Sequence, residues 1–448
     1  MKLAVIGSGY VANVTGACFA AMGNEVVVAG LDHERIERLS QGIVPFYEEG
    51  LESIVKTELA NQHLRYTTDL RDACKDAEII FLCVSAPPSP DGKPDTKRLS
   101  KILQEISQDF TEGYRLLVER NNLPVKTGEW LKQEMKSLLP AGSSCHVEVA
   151  SVPQFLREGH AVKDFYHPDR LIIGAETQRA KELLMELYQS LPAPLLLTDI
   201  TTAELIKHST NAFLAMKISF MNSIGQLAEK CGADVELVAK GLGMDKRISP
   251  HFLHAGIGYG GIFLPRDVQS LSYLASQYHL NLDLLKATET VNRYQRISFI
   301  ERVEKACGGH LAGKTIAIWG LAYRPNTDDM RDCPSTQIIW GLQNRGAKIR
   351  AFDPIAMPAA ESKVRGVSFC EDVYSCSEGA DAIAILTDWP EFSQVNFSQL
   401  REATSCRLIV DGRNLFNPNR VQEQGFTYYS VGRKVSFSEN TYTLQGKS

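Results

Sequence analysis

Three stretches of the chain combine residue types and spacing that could do chemistry. In the first, Gly7-Ser8-Gly9-Tyr10-Val11-Ala12 follows the apolar run "LAVIG" and leads into a helical pattern through Cys18 and Ala21. Glycine there lets backbone amides approach a pyrophosphate, and a helix N-terminus favours negative charge, so the turn is suited to a dinucleotide or nucleotide. A GxGxxA pattern alone is weak; its place between a strand and a helix gives it meaning. The usual companion is an acid closing the second strand, where it holds the adenosine ribose. Here that strand, "EVVVAG", ends at Ala29-Gly30, and the first acid is Asp32. Gly30 has no side chain with which to hold a hydroxyl. The second stretch is "GYGGIFLPRD", residues 258–267. Its glycines predict a backbone that approaches a ligand closely, and Pro265 and Asp267 open a helical segment, yet Ile262 and Phe263 supply no nucleophile. In the third, Lys207 and Asn211 stand four apart in a helical pattern and so share one face.

The elements that must position these groups follow from periodicity. Apolar runs at 77–85, 114–120 and 145–151, separated by segments of helix length, predict a parallel doubly wound sheet over about the first 195 residues. From Thr201 to about Ser298 the pattern turns helical, and residues 201–232 are apolar at i, i+3, i+4 and i+7, predicting a long helix that is a candidate spine between domains and a dimer surface. After "GGHLAGK" the strand-helix rhythm restarts at 315–320, 348–353, 381–388 and 407–412. The fold class is α/β, with two Rossmann-like doubly wound domains joined by a long central helix. The expected domains are 1–195, a helical dimerisation region 196–300, a second α/β domain 301–435, and a polar tail 436–448.

With 448 residues, several domains are expected. A formal charge of −5 gives no reason to expect a nucleic-acid partner. The ten cysteines show neither CxxC pairs nor Cys/His clusters, so they predict buried thiols in a reducing compartment, without structural zinc or a disulfide frame. No apolar run approaches the ~18 residues of a membrane span. A cytoplasmic protein is expected.

The stretches "GSGYVANVTGACFA", "PQFLREG", "HPDRLIIGA", "AELIKHSTNAFLAMKISFMN", "GMDKRISPHFLHAGIGYGG", "GLAYRPNTDDMRD" and "DGRN" together resemble the UDP-glucose/GDP-mannose dehydrogenase family, from Met1 to about Arg433. The resemblance implies an N-terminal NAD domain, a dimerising central helix and a C-terminal domain for the UDP portion of a nucleotide sugar. Family members oxidise a sugar C6 alcohol to a carboxylate in two NAD-dependent steps, through a cysteine thiohemiacetal and thioester. By the same resemblance, Lys207, Asn211 and Asp267 are catalytic, and Gly7, Gly9, Tyr10, Val11, Arg35, Glu158 and Arg331 bind cofactor. Phe155, Leu156, Arg157, Lys207, Asn211, Arg247, Tyr259, Gly260, Arg324 and Arg413 contact the UDP-sugar. For any one of these charges alone, a solvated surface role is the ordinary alternative.

By the same resemblance, the departures fall mainly on the nicotinamide side and the reacting centre. The family's GGSCFPKD aligns with residues 260–267, and Phe263 occupies the nucleophile's position. A phenyl ring has no lone pair to add to an aldehyde. K-S-T-V-P reads Arg120-Asn121-Asn122-Leu123-Pro124, an active-site acid has become Gln154, G-T-P-P reads Ser85-Ala86-Pro87-Pro88, and the ribose aspartate aligns with Gly30. Two readings follow: a UDP-sugar-binding homologue with weakened or absent NAD binding, acting as a degenerate, regulatory or heteromer-forming member, or an oxidoreductase with altered chemistry. The second could use NADP, since Gly30 removes a carboxylate that would repel a 2′-phosphate, with His33 and Arg35 close by in sequence. A homodimer or higher even oligomer is expected, with Arg247 reaching the partner's site.

Overall fold

The computed structural model describes residues 1–84, 95–121 and 123–436. Ser85 to Pro88, Asn122 and the tail from 437 therefore lie outside the described residues. The chain divides into two compact units, one of residues 1–210 and 269–279, the other of 211–268 and 280–448.

The first unit is built on an eight-stranded sheet: β1 (Lys2–Ile6), β2 (Glu25–Ala29), β3 (Leu64–Thr67), β4 (Ile79–Leu82), β5 (Tyr114–Glu119), β6 (His146–Ser151), β7 (Leu171–Ala175) and β8 (Leu195–Thr198). Their order is β3-β2-β1-β4-β5-β6-β7-β8. Short runs rich in Val, Ile and Leu form such strands because helices cover both faces, and β4 is buried along its whole length. The helix Tyr10–Ala21 packs closely on β2, where a Cβ at Gly16 would lie 2.4 Å from Val28 Cγ2. The expected parallel sheet holds through β6, but β7 runs antiparallel to β6. The connection 152–170 contains only the six-residue helix Ala161–Tyr166 and turns back at the same end of the sheet, where a parallel neighbour would need a crossover.

The second unit repeats the architecture with β9 (Thr315–Trp319), β10 (Lys348–Phe352), β11 (Val367–Phe369), β12 (Ala382–Ile385), β13 (Leu408–Asp411) and β14 (Thr427–Tyr429). They are parallel, in the order β11-β10-β9-β12-β13-β14. Strand alternation divides the core: Ile316, Ile318, Ile349 and Ala351 pack on one face, Ala317, Trp319 and Cys376 on the other.

The helix Ile200–Cys231 runs for 32 residues and joins the two α/β units. Leu205, Phe213, Phe220 and Leu227 are 43%, 57%, 52% and 62% exposed along it. Spacings of eight, seven and seven residues set them in one stripe. Among the described residues no helix is long and apolar enough to cross a membrane.

Candidate functional site

Gly9 is the N-cap of the helix Tyr10–Ala21, which has no side-chain cap. A Cβ at Gly9 would meet nothing within 4 Å, so the first-turn amides of Tyr10 and Val11 begin beside open space that suits a pyrophosphate. Gly7 is needed for another reason: φ is +140°, and a Cβ would come 2.8 Å from the Cys83 carbonyl. Asn13 Nδ2 holds the turn by donating to Ser8 O (3.0 Å) and Gly9 O (2.8 Å). Tyr10 donates its hydroxyl to Glu48, and burial followed by the Glu48 charge pushes the phenol far above its ordinary pKa. Glu48 also accepts from Gly159 N and Ala161 N, both at 2.7 Å, tying the loop after β6 to the glycine turn.

At the end of β2, a Cβ on Gly30 would lie 2.7 Å from Ser8 Cβ and 3.0 Å from Ser8 Oγ. Ser8 thus occupies the space that a side chain at 30 would need, and an acid at 30 would require the glycine turn to shift. Asp32 instead caps the helix His33–Ser40 by accepting from Arg35 N, and its carboxylate lies 3.7 Å from Arg35 Nε.

Beyond β5 the buried Arg120 guanidinium donates to Thr15 Oγ1 (3.1 Å) and Tyr188 OH (2.8 Å). It sits within 6.0 Å of the ring centres of Phe19, Phe81, Phe165 and Tyr188, an aromatic cage that suits a guanidinium. Its neighbour Glu119 is buried beside Glu204. Glu204 accepts from Lys126 N and Gly128 N, each at 2.7 Å, bonds that favour its charged form at the start of the helix Thr127–Leu138. Burial pushes both carboxyls up, but the two backbone bonds offset part of this at Glu204, whereas burial and then the Glu204 charge push Glu119 well above the carboxylate range, so Glu119 keeps the proton of the pair. A carboxyl that holds its proton more tightly folded than unfolded loses stability as pH rises from the unfolded value, about 4.3, toward the folded one. Glu119→Gln, which copies the neutral form, is expected to raise the melting temperature more at about pH 8 than at about pH 4.5. Equal gains at both would show Glu119 ionised in the fold.

Gln154 is buried, and its Oε1 accepts from Leu156 N at 2.7 Å, which holds the turn carrying the half-buried Phe155. The Arg170 guanidinium lies 4.1 Å and the Lys207 ammonium 5.1 Å from the Phe155 ring centre. Lys207, Leu156 and Glu158 are buried, whereas Arg157 is exposed and bound to Asp164 at 2.6 Å.

In the second unit the glycines of "GYGGIFLPRD" lie against the protein's own atoms. A Cβ at Gly258 would lie 2.3 Å from Asn292 Oδ1, at Gly260 2.5 Å from Asp332 O, and at Gly261 2.7 Å from the Tyr323 ring. The close approach these glycines allow is to the protein's own atoms, and no ligand is needed to explain it. The helix Asp283–Ala306 secures the loop: Asn292 Oδ1 accepts from Tyr259 N (2.8 Å), Arg296 donates to Tyr259 O (2.9 Å), and Gln295 donates to Gly256 O (2.8 Å). Phe263 begins the helix Phe263–Gln277 and is half-buried. Asn211 Nδ2 donates to the fully buried Asp267. Arg331 pairs with Asp329 through two bonds, at 2.8 and 2.7 Å, and the 88%-exposed Arg247 pairs with Asp245 at 2.6 Å. Arg324 is half-buried. The Arg413 guanidinium donates to three carbonyls: Leu386 (2.8 Å), Tyr323 (3.2 Å) and Gly258 (3.3 Å).

Lys207 and Phe155 therefore meet in the first unit, Asn211 and Asp267 in the second, with Lys207 and Asn211 one turn apart on the joining helix. Glu48, Asn292, Gln295 and Arg296 hold these loops, and sequence reasoning missed them. Each acts on backbone far away in the chain, as Glu48 does on Gly159, 111 residues on, and no local pattern marks such a partner.

Comparison with known proteins bears on all three parts of the chain. Residues 1–192 match the NAD binding domain of the UDP-glucose/GDP-mannose dehydrogenase family, 201–294 its central domain, and 317–418 its UDP binding domain. The UDP-glucose 6-dehydrogenase of Rhizobium meliloti is 38% identical over 97% of this chain and 100% of its own. That of Pseudomonas aeruginosa is 39% identical over 97% and 98%. Among solved structures, a UDP-glucose dehydrogenase from Pyrobaculum islandicum superposes with a TM-score of 0.89 at 32% identity, covering 96% of this chain and 97% of that one. With the glycine turn, the joining helix and the second α/β unit in their places, the chain belongs to the UDP-glucose/GDP-mannose dehydrogenase family.

Proposed function

We propose that this chain is a cytoplasmic UDP-sugar-binding protein that does not perform the cysteine-dependent four-electron oxidation, and that it acts as a binding or regulatory member of sugar-nucleotide metabolism. The observation that carries this reading is Phe263, an apolar ring at the first residue of the helix Phe263–Gln277, where the family motif has its nucleophile. Cys333 is no substitute. Its neighbours Asp332 and Pro334 abut Gly260, but its thiol donates to Leu321 O at 2.9 Å, and burial pushes its pKa up to about 11. At neutral pH it remains a thiol and a poor nucleophile. Lys207 and Asn211 would hold sugar hydroxyls. Gly7, Gly9, Tyr10 and Val11 would hold an NAD pyrophosphate, with affinity lowered by the missing ribose acid at Gly30.

A second reading, an active NAD(P)-dependent dehydrogenase with altered chemistry, is favoured by the buried Lys207, Asn211 and Asp267. Spectrophotometry with NAD or NADP and a panel of UDP- and GDP-sugars separates the two. No reduced cofactor is expected, while UDP-glucose stabilises the protein against heat by ~2.7 kcal/mol at about a hundred times its dissociation constant. Turnover by the unmodified protein overturns the first reading; absence of stabilisation removes the UDP-sugar.

The occupant proposed for the apolar stripe on the joining helix is a second copy of the chain, in a two-fold dimer. Phe220→Glu would set a charge in that interface and is expected to weaken association at least ~10-fold in sedimentation. A concentration-independent monomer for the unmodified chain would exclude the dimer.

A further inference from the structure

In the second unit, away from the loops described above, Cys370 follows β11 and Cys376 lies in the helix Val373–Ser377. Both pack in the same apolar cluster. Strand alternation explains why they meet. Ser368 pairs with Arg350 across β10 and β11, and Cys370, two residues on, points to that same face while its amide bonds Ala351 O at 2.9 Å. The helix covers this face: Cys376 is fully buried with Sγ 3.6 Å from Ile318 O, and Arg350 donates to the carbonyls of Ser375 (2.7 Å) and Cys376 (3.1 Å). Cys370 is half-buried, so it is the thiol a small molecule can reach.

We propose that Cys370 and Cys376 form a peroxide-reactive dithiol that closes into a reversible disulfide. The neighbouring Cys376 thiol and then the Arg350 charge hold the Cys370 thiol below its ordinary pKa, while the same proximity and burial push Cys376 up. Cys370 is accordingly the attacking thiolate and Cys376 the resolving thiol. The Cys370 sulfur attacks one oxygen of hydrogen peroxide, the O–O bond breaks, the other oxygen leaves as water after taking a proton, and a sulfenic acid remains. The Cys376 sulfur then attacks the Cys370 sulfur, the S–O bond breaks, and a second water leaves with the Cys376 proton. Two thiols lose two electrons and two protons, and peroxide is reduced to two waters. A dithiol reductant reverses the change.

The tryptic peptide 366–401 contains both cysteines and no other. After treatment of the full-length protein with hydrogen peroxide and blocking of remaining thiols with iodoacetamide, this peptide is expected to lose two hydrogens and take up no label. Treatment with a dithiol reductant should restore labelling at both positions. The dose for half-oxidation should be at least ~10-fold below that for the exposed Cys231. In Cys376→Ser, which cannot resolve, dimedone should trap the sulfenic acid at Cys370. Full labelling of both cysteines at doses that already oxidise Cys231 would overturn the proposal, as would a Cys370 that dimedone does not trap in Cys376→Ser.

Discussion

Phe263→Cys is expected not to restore oxidation of UDP-glucose: NADH formation by the variant should stay at least ~10³-fold below that of a cysteine-bearing relative, because groups that act as a unit fail as a unit. Three features of this chain stand behind the expectation. Gln154 cannot act as a base, and its carboxamide is already engaged with Leu156 N. The adenosine ribose has no acid at Gly30, and Ser8 stands in the way of adding one, with Cβ atoms that would lie 2.7 Å apart. A new thiol would also need a positioned base to become the thiolate that attacks, and Asp267, the buried acid in the same segment, already accepts from Asn211. Substantial NADH from Phe263→Cys alone would show that the rest of the site is sound, and would favour a recently silenced enzyme over an evolved binding protein.

How much of this was legible in sequence depended on how local each cause is. β1, β2, β4 to β6, β9, β10, β12 and β13 announce themselves as largely apolar runs, because a strand covered on both faces buries most of its side chains, and the charged residues of β6 and β10 fall at exposed or half-buried positions. The three-residue strands β11 and β14 are too short for a pattern, and β8 is an apolar run of only three leucines that begins at the expected domain boundary, residue 195, so nothing in the pattern marks it as a strand; in the fold Leu195, Leu196 and Leu197 are 42%, 49% and 41% exposed. The glycines of 258–261 were visible as a need for close approach, but the atoms approached belong to Asn292, Asp332 and Tyr323, which only the fold brings near. The charged residues carried the least information. Arg157, Arg247 and Arg331 look alike in a sequence as cofactor or substrate contacts, and in the fold each is paired with a carboxylate a few residues away.

Arg413 takes that point furthest, and Arg413→Ala is expected to cost the ligand-free protein about 3 kcal/mol. Its guanidinium joins the carbonyls of Gly258, Tyr323 and Leu386, so removal leaves three loop acceptors without a charged donor. Tyr323 and Leu386 follow β9 and β12 at their carboxyl ends, the place where open α/β sheets receive ligands. Loosened loops there would weaken UDP binding even if Arg413 never touched a phosphate, so loss of the UDP-dependent thermal shift alone says nothing about contact. The stability of the free protein decides. If Arg413 is a latch, denaturant unfolding without ligand shows the deficit, and Arg413→Lys recovers little of it, because an ammonium cannot span three carbonyls as a planar fork does. If Arg413 serves only as a phosphate ligand, the free variant unfolds like the parent and only the UDP shift disappears. Arg324, half-buried on the same loop as Tyr323, gives the contrasting case. Arg324→Ala should change free stability by less than ~1 kcal/mol while removing most of the UDP-dependent shift. A deficit in Arg324→Ala as large as that in Arg413→Ala would mean that both arginines build the loop, and the phosphate contact would have to be sought elsewhere.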